Sequence, residues 1–123
     1  MTPVSWQRTE GALIVLGALP LAVLTQNGWP LWVWPLVLLA PDLGAAGYLA
    51  GPRVGAFTYN LMHLYGAGLL LALLGVVSGL PVLIALGAVW LVHVGADRAM
   101  GYGLKQGTGF HDTHLGRIGQ ADR

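Results

Sequence analysis

The chain has 123 residues, 55% of them hydrophobic and only 9% charged, where a soluble domain of this size carries about 25% charge. No Asp, Glu, Lys or Arg occurs in residues 11–41 or 54–96, and a membrane span needs about 20 mainly apolar residues, so an integral membrane protein is expected. A net charge of +1 without a basic cluster interleaved with aromatics argues against a nucleic-acid reader, and the absence of Cys excludes disulfides, thiolate catalysis and cysteine-ligated metal.

In chain order, the first span is expected over residues 9–25. The head MTPVSWQRTE holds one Arg and one Glu, a weak n-region for a signal peptide, so the span is read as retained. Gln26, Asn27 and Gly28 form its turn, and Pro30 suits the opening of a second span over residues 29–50. Pro35 and Pro41 should kink or unwind that span. Gly51, Pro52 and Arg53 turn the chain into a third span over residues 54–77, closed by Ser78 and Gly79. Pro81 opens a fourth, over residues 80–100, and a glycine-rich polar tail fills residues 101–123. The short turns make successive helices antiparallel neighbours. The expected fold is therefore all-α, a polytopic antiparallel four-helix transmembrane bundle forming a single domain over residues 1–123. The tail is expected to be reentrant or surface-lying, and no segment shows the alternation of a strand. Gly44, Gly47 and Gly51 on the second helix, with Gly68, Gly75 and Gly79 on the third, read as sites of close helix packing. Trp29, Trp32 and Trp34 at one boundary and Trp6 and Tyr102 at the other read as interfacial anchors.

Four spans return both termini and the turn at Arg53 to one side. Arg8, Arg53, Arg98, Lys105, Arg117 and Arg123 then share that side, and the turns around Asn27 and Ser78 hold no Lys or Arg. By the positive-inside rule both termini are expected in the cytoplasm.

Asp42, Tyr59, Asn60, His63, His93 and Asp97 interrupt the apolar runs. Such residues are expensive in lipid and should face the bundle and one another. At 1.5 Å of rise per residue all six fall within roughly 18 Å of the cytoplasmic surface, and Tyr59/His63 and His93/Asp97 each share a helix face at a spacing of four. Three chemistries suit the set, beside the bland reading of a hydrogen-bond network that fixes helix register. Imidazole with carboxylate suits a divalent Zn, Mn or Fe ion, which activates water for attack on an ester or phosphoester. His63 and His93 at comparable depth could ligate a single haem. A chain of Asp and His at membrane depth also suits an ion or proton path, which with four spans would require a small oligomeric transporter.

The stretches PDLGAAGYLAGPRVGAFTYNLMH, WLVHVGADRAMGYGLK and GFHDTHLGRIG resemble a family of small bacterial membrane proteins of unknown function, domain of unknown function 4260, over about residues 10–120. The resemblance implies four membrane spans, a bacterial inner (cytoplasmic) membrane, and a shared polar set falling on Asp42, Tyr59, Asn60, His63, His93, Asp97, Arg98, Asp112 and His114. It implies no chemistry. Pro41-Asp42 and Thr113-His114 are also similar, more loosely, to membrane-bound metal-dependent hydrolases, whose fuller His-Arg-x-x-Thr-His signature this chain lacks.

The working expectation is a metal site in the cytoplasmic half of the bundle, with a lipid-like small molecule as substrate. Asp42, His63, His93 and Asp97 are the expected ligands, Asp112 or His114 the proton-transfer group, and Tyr59 and Asn60 the orienting groups. The rival expectation is a nonenzymatic membrane component whose polar residues assemble the bundle or a homo-oligomer.

Overall fold

The computed structural model describes residues 1–117. Helix α1 (Pro3–Thr25) opens on a capping box, in which the Thr2 hydroxyl accepts from Ser5 N–H at 3.1 Å and the Ser5 hydroxyl accepts from Thr2 N–H at 2.8 Å. It ends where Asn27 and Gly28 take positive φ values of 60° and 81°. Helix α2 (Val33–Leu39) runs directly into a 3₁₀ helix (Ala40–Ala50). Helices α3 (Pro52–Met62) and α4 (Tyr65–Ser78) follow, bent by 41° across the short break between them. Gly79, at φ 70°, ends α4 in a Schellman turn, with Leu80 N–H bonded to the Gly75 carbonyl and Gly79 N–H to that of Val76. Helix α5 (Pro81–Ala99) closes the helical part. The tail forms a small antiparallel sheet of β1 (Lys105–Gln106), β2 (Gly109–Thr113) and β3 (Gly116–Arg117), in that order.

The chain is thus mostly helical. Among the described residues, three segments are long and apolar enough to cross a membrane, and a fourth is if the bent α3–α4 pair counts as one span. Helix α5 is central: α1 and α4 pack along it, α2 touches it, and α3 packs on the 3₁₀ segment. Its own buried positions include Ala85, Ala88, Val89, Leu91, His93, Val94 and Arg98. By contrast Leu16, Leu24, Leu43, Leu49, Phe57, Leu70 and Val77 are all exposed. An apolar surface of that extent suits lipid and not water.

Small residues let the helices meet. A Cβ at Gly11 would lie 2.5 Å from the Gly95 carbonyl oxygen, and one at Gly87 would lie 2.5 Å from that of Gly68. Both pairs hold backbone against backbone along antiparallel helices, the arrangement small residues permit in membranes. Gly44, Gly47, Gly68 and Gly75 also sit at close approaches. Gly51 and Gly79 do not; nothing lies within 4 Å of a Cβ there, and their positive φ values of 115° and 70° mark them as turn residues.

Two sequence expectations need correction. The tail does contain strands. They are two to five residues long, too short for an alternation to declare itself, and they are held by docking onto α3. The third span is not one continuous helix, because it breaks at His63 and Leu64.

Candidate metal centre

Two helix irregularities build the site. At the first, the chain tightens from α2 into 3₁₀ geometry just before Pro41. In the 3₁₀ pattern the Leu38 carbonyl would accept from residue 41, and proline has no N–H to give. His93 fills the gap, its Nδ1 lying 2.6 Å from the Leu38 oxygen. At the second, His63 N–H bonds to the Asn60 carbonyl at 3.0 Å instead of continuing the α pattern to Tyr59. The freed Tyr59 carbonyl accepts from His63 Nδ1 at 2.8 Å. The break exposes two further carbonyls, and α5 satisfies both: Trp90 Nε1–H donates to Met62 O at 2.8 Å and Arg98 Nη2–H to His63 O at 3.0 Å. A broken helix in an apolar setting requires such partners.

These backbone bonds fix both imidazoles. A carbonyl only accepts, so each Nδ1 carries the hydrogen, and in the neutral ring each Nε2 presents its lone pair. The two Nε2 atoms lie 3.1 Å apart. Asp42 Oδ1 is 3.1 Å from each of them, and Asp97 Oδ2 is 3.5 Å from His63 Nε2 and 3.3 Å from His93 Nε2. One ligand atom from each of the four residues fits within a 4.8 Å span. His63 is wholly buried, His93 nearly so, and Asp97 is 14% exposed, whereas the Asp42 side chain is 49% exposed and leaves one side open.

Four acceptor atoms converging in this way, two of them anionic, repel one another unless positive charge sits among them. A tetrahedral ion with bonds of about 2.0–2.2 Å to N and O sets its ligand atoms about 3.3–3.6 Å apart, close to the separations seen. Imidazoles anchored through Nδ1–H to a carbonyl are also the usual support of a metal-ligating histidine. Haem does not fit. Axial ligands bind from opposite ring faces, so their nitrogens stand apart by two bonds of about 2 Å, and here they are 3.1 Å apart with no room for a macrocycle between them.

Around the cluster, the Tyr59 ring stacks on His63 at 3.7 Å and 11°. A pocket of about 430 Å³ opens beside it, lined by Asp42, Ala45, Tyr59, Asp97, Tyr102, Lys105 and Phe110. The tail forms part of this lining, as a chain folding back over the site should. Asn60 does not face the four ligand atoms. Its amide oxygen accepts from Lys105 N–H at 2.6 Å and its amide nitrogen donates to Lys105 O at 2.8 Å, which pins β1 to α3. Asp112 and His114 also lie outside the cluster. Asp112 accepts from the Thr108 hydroxyl at 2.7 Å. His114 Nδ1 accepts from Leu104 N–H at 2.8 Å and its Nε2 meets Gln7 Oε1 at 3.0 Å, beside a separate pocket of about 320 Å³. Burial pushes the His114 pKa down. Arg98 directs Nη1 and Nη2 to the carbonyls of Tyr102 and His63.

Sequence reasoning missed Lys105 as a lining residue. It is the only lysine of the chain, a usable signal, but its burial depends on the tail sheet. Burial lowers its pKa to about 8, opposed by the nearby Asp97 and Asp42 charges. Since the folded value lies below the unfolded one, the unfolded chain binds more protons between about pH 8 and pH 10.5, and stability rises with pH across that window. NMR of the ¹³C-methylated lysine should give a midpoint near 8; a midpoint above 10 would place the ammonium in water.

Apolar helices around a cluster of two buried histidines and two aspartates, open on the Asp42 side, define a helical, membrane-type protein with a polar centre. The chain belongs to the family described as Domain of unknown function (DUF4260), whose family model matches residues 4–118. No curated protein and no solved structure matches it at a significant level.

Proposed function

We propose that this is a four-span protein of the bacterial inner membrane that holds one divalent ion, Zn, Mn or Fe, on Asp42, His63, His93 and Asp97, and that it hydrolyses a lipid-like ester or phosphoester. The observation that carries this reading is the convergence of four lone-pair donors, with both Nδ1 atoms already committed to carbonyls. An ion bound there supplies Lewis acidity and lowers the pKa of water. The chain holds the histidine tautomers, covers the buried His63 ring with that of Tyr59, and leaves the half-exposed Asp42 side facing the pocket. Tyr59, Tyr102 and Lys105 line that pocket and are better placed than Asp112 or His114 to exchange a proton with a substrate.

The sidedness of charge supports cytoplasmic termini. Arg8 Nε–H donates to Ala99 O at 3.0 Å, so the start of α1 meets the end of α5, and Asn60 ties Lys105 to α3. Arg8 is thus beside the Arg98 end of α5, and Arg53 lies next to the tail at Gly107.

The test is ester and phosphoester hydrolysis by protein purified without chelator. Activity should disappear on chelation and return with one equivalent of metal. Full metal loading with no hydrolysis of any lipid ester or phosphoester would leave the ion as a clamp joining the helices and sink the enzymatic reading.

A further inference from the structure

We propose that Lys105 is the anion-binding residue of the pocket, and that the ligand it selects carries a phosphate group. This rests on the metal reading above, since an ion on the two carboxylates would leave Lys105 as the uncompensated charge of the pocket.

Lys105 is only 5% exposed, yet its chain position lines the pocket that reaches Asp42 and Asp97. Among the described residues its ammonium pairs with no carboxylate and has no hydrogen-bond acceptor. It lies instead over two rings, with Nζ 3.8 Å from the Phe110 centroid and 4.7 Å from that of Tyr59. Aromatic faces hold a cation in place but supply no oxygen to its three N–H donors, which the pocket leaves open to a ligand. The backbone around it is fixed by both Asn60 bonds, so the ammonium is held at the pocket and not swept there by chance. An oxyanion entering the pocket satisfies those donors. Phosphate suits better than a carboxylate, because it brings more negative charge and more terminal oxygens to the ammonium's donors, and lysine binds it as a point charge. Ala45, Phe110 and the Tyr59 ring give the rest of the lining an apolar character suited to an acyl or other hydrocarbon portion. The phosphate could be a lipid headgroup or the free ion, and the experiment separates them.

The experiment is calorimetric titration of the full-length protein in detergent, loaded with Zn and again without metal, with four probes: dioctanoyl phosphatidate, inorganic phosphate, octanoate and dioctanoylglycerol. Expected is saturable binding of phosphatidate, weakened about tenfold or more by Lys105→Met and kept within a few-fold by Lys105→Arg, with Zn content unchanged in both variants. Inorganic phosphate binding as well as phosphatidate identifies the free ion as sufficient; phosphatidate alone identifies the lipid. If Lys105→Met does not fold, Lys105→Gln and the probe ranking on the unaltered protein carry the test. Equal binding of dioctanoylglycerol or octanoate, or no effect of removing the ammonium, overturns the proposal. Lys105-dependent phosphate binding in a protein that takes up no metal overturns the metal reading alone, and full Zn loading without phosphate binding overturns this inference alone.

Discussion

His63→Ala and His93→Ala should each reduce bound metal from one equivalent to almost none. Each imidazole contributes one of four converging donor atoms, and each is also the partner of a carbonyl released by a helix irregularity, Tyr59 O for His63 and Leu38 O for His93. Alanine removes the donor and leaves that carbonyl unsatisfied in an apolar setting, so the remaining ligands lose their support as well. Changing the outer partners of a ligand alone typically weakens metal binding 10–100-fold, so loss of the ligand itself should exceed about 100-fold. Competition against a chelator of known affinity measures it. Asp112→Asn and His114→Ala, which alter side chains outside the cluster, should retain the full equivalent. A His63→Ala protein that still held one tightly bound ion would refute the four-ligand arrangement.

Gly87→Leu should be among the most damaging substitutions far from the ligands. A Cβ there meets Gly68 O and Ala72 N, both at 2.5 Å. These are backbone atoms that no rotamer change can move, so α4 and α5 must separate. Overpacking of this kind costs about 1–3 kcal/mol, or about 5–15 °C in thermal midpoint. The α4–α5 seam continues toward the break whose carbonyls Trp90 and Arg98 satisfy, so metal affinity should fall with it. Gly17→Leu is the control, because nothing lies within 4 Å of a Cβ at that position. Equal melting of the two variants would mean that the seam is not held by close backbone contact.

The helical segments were legible because charge is absent over long runs and Gly and Pro punctuate them. The four cluster residues were legible for a different reason. Asp42, His63, His93 and Asp97 are costly in an apolar segment unless they meet, and their distances from the basic turns put them at one depth. What the sequence could not convey is how the helices yield to make that meeting. Pro41 announces a disturbance, but not that the whole of Ala40–Ala50 is 3₁₀. Nothing at His63-Leu64 announces the second break, since its stability comes from Trp90 and Arg98, about 30 residues further along the chain. Lys105 reads as one more cytoplasmic cation until Asn60 fastens β1 against α3 and brings Phe110 beneath the ammonium. Asn60 itself has the composition of a site residue and serves as the fastening.

The most direct test of the central claim is X-ray absorption at the metal edge on protein extracted gently and kept from chelators and nickel resin. One equivalent of Zn, Mn or Fe, with two imidazoles and carboxylate oxygens at about 2.0–2.2 Å, is the predicted result. A protein carrying no stoichiometric metal, and unable to take any up, would contradict the account and leave the His–Asp cluster as a proton-sharing network that holds the helices in register.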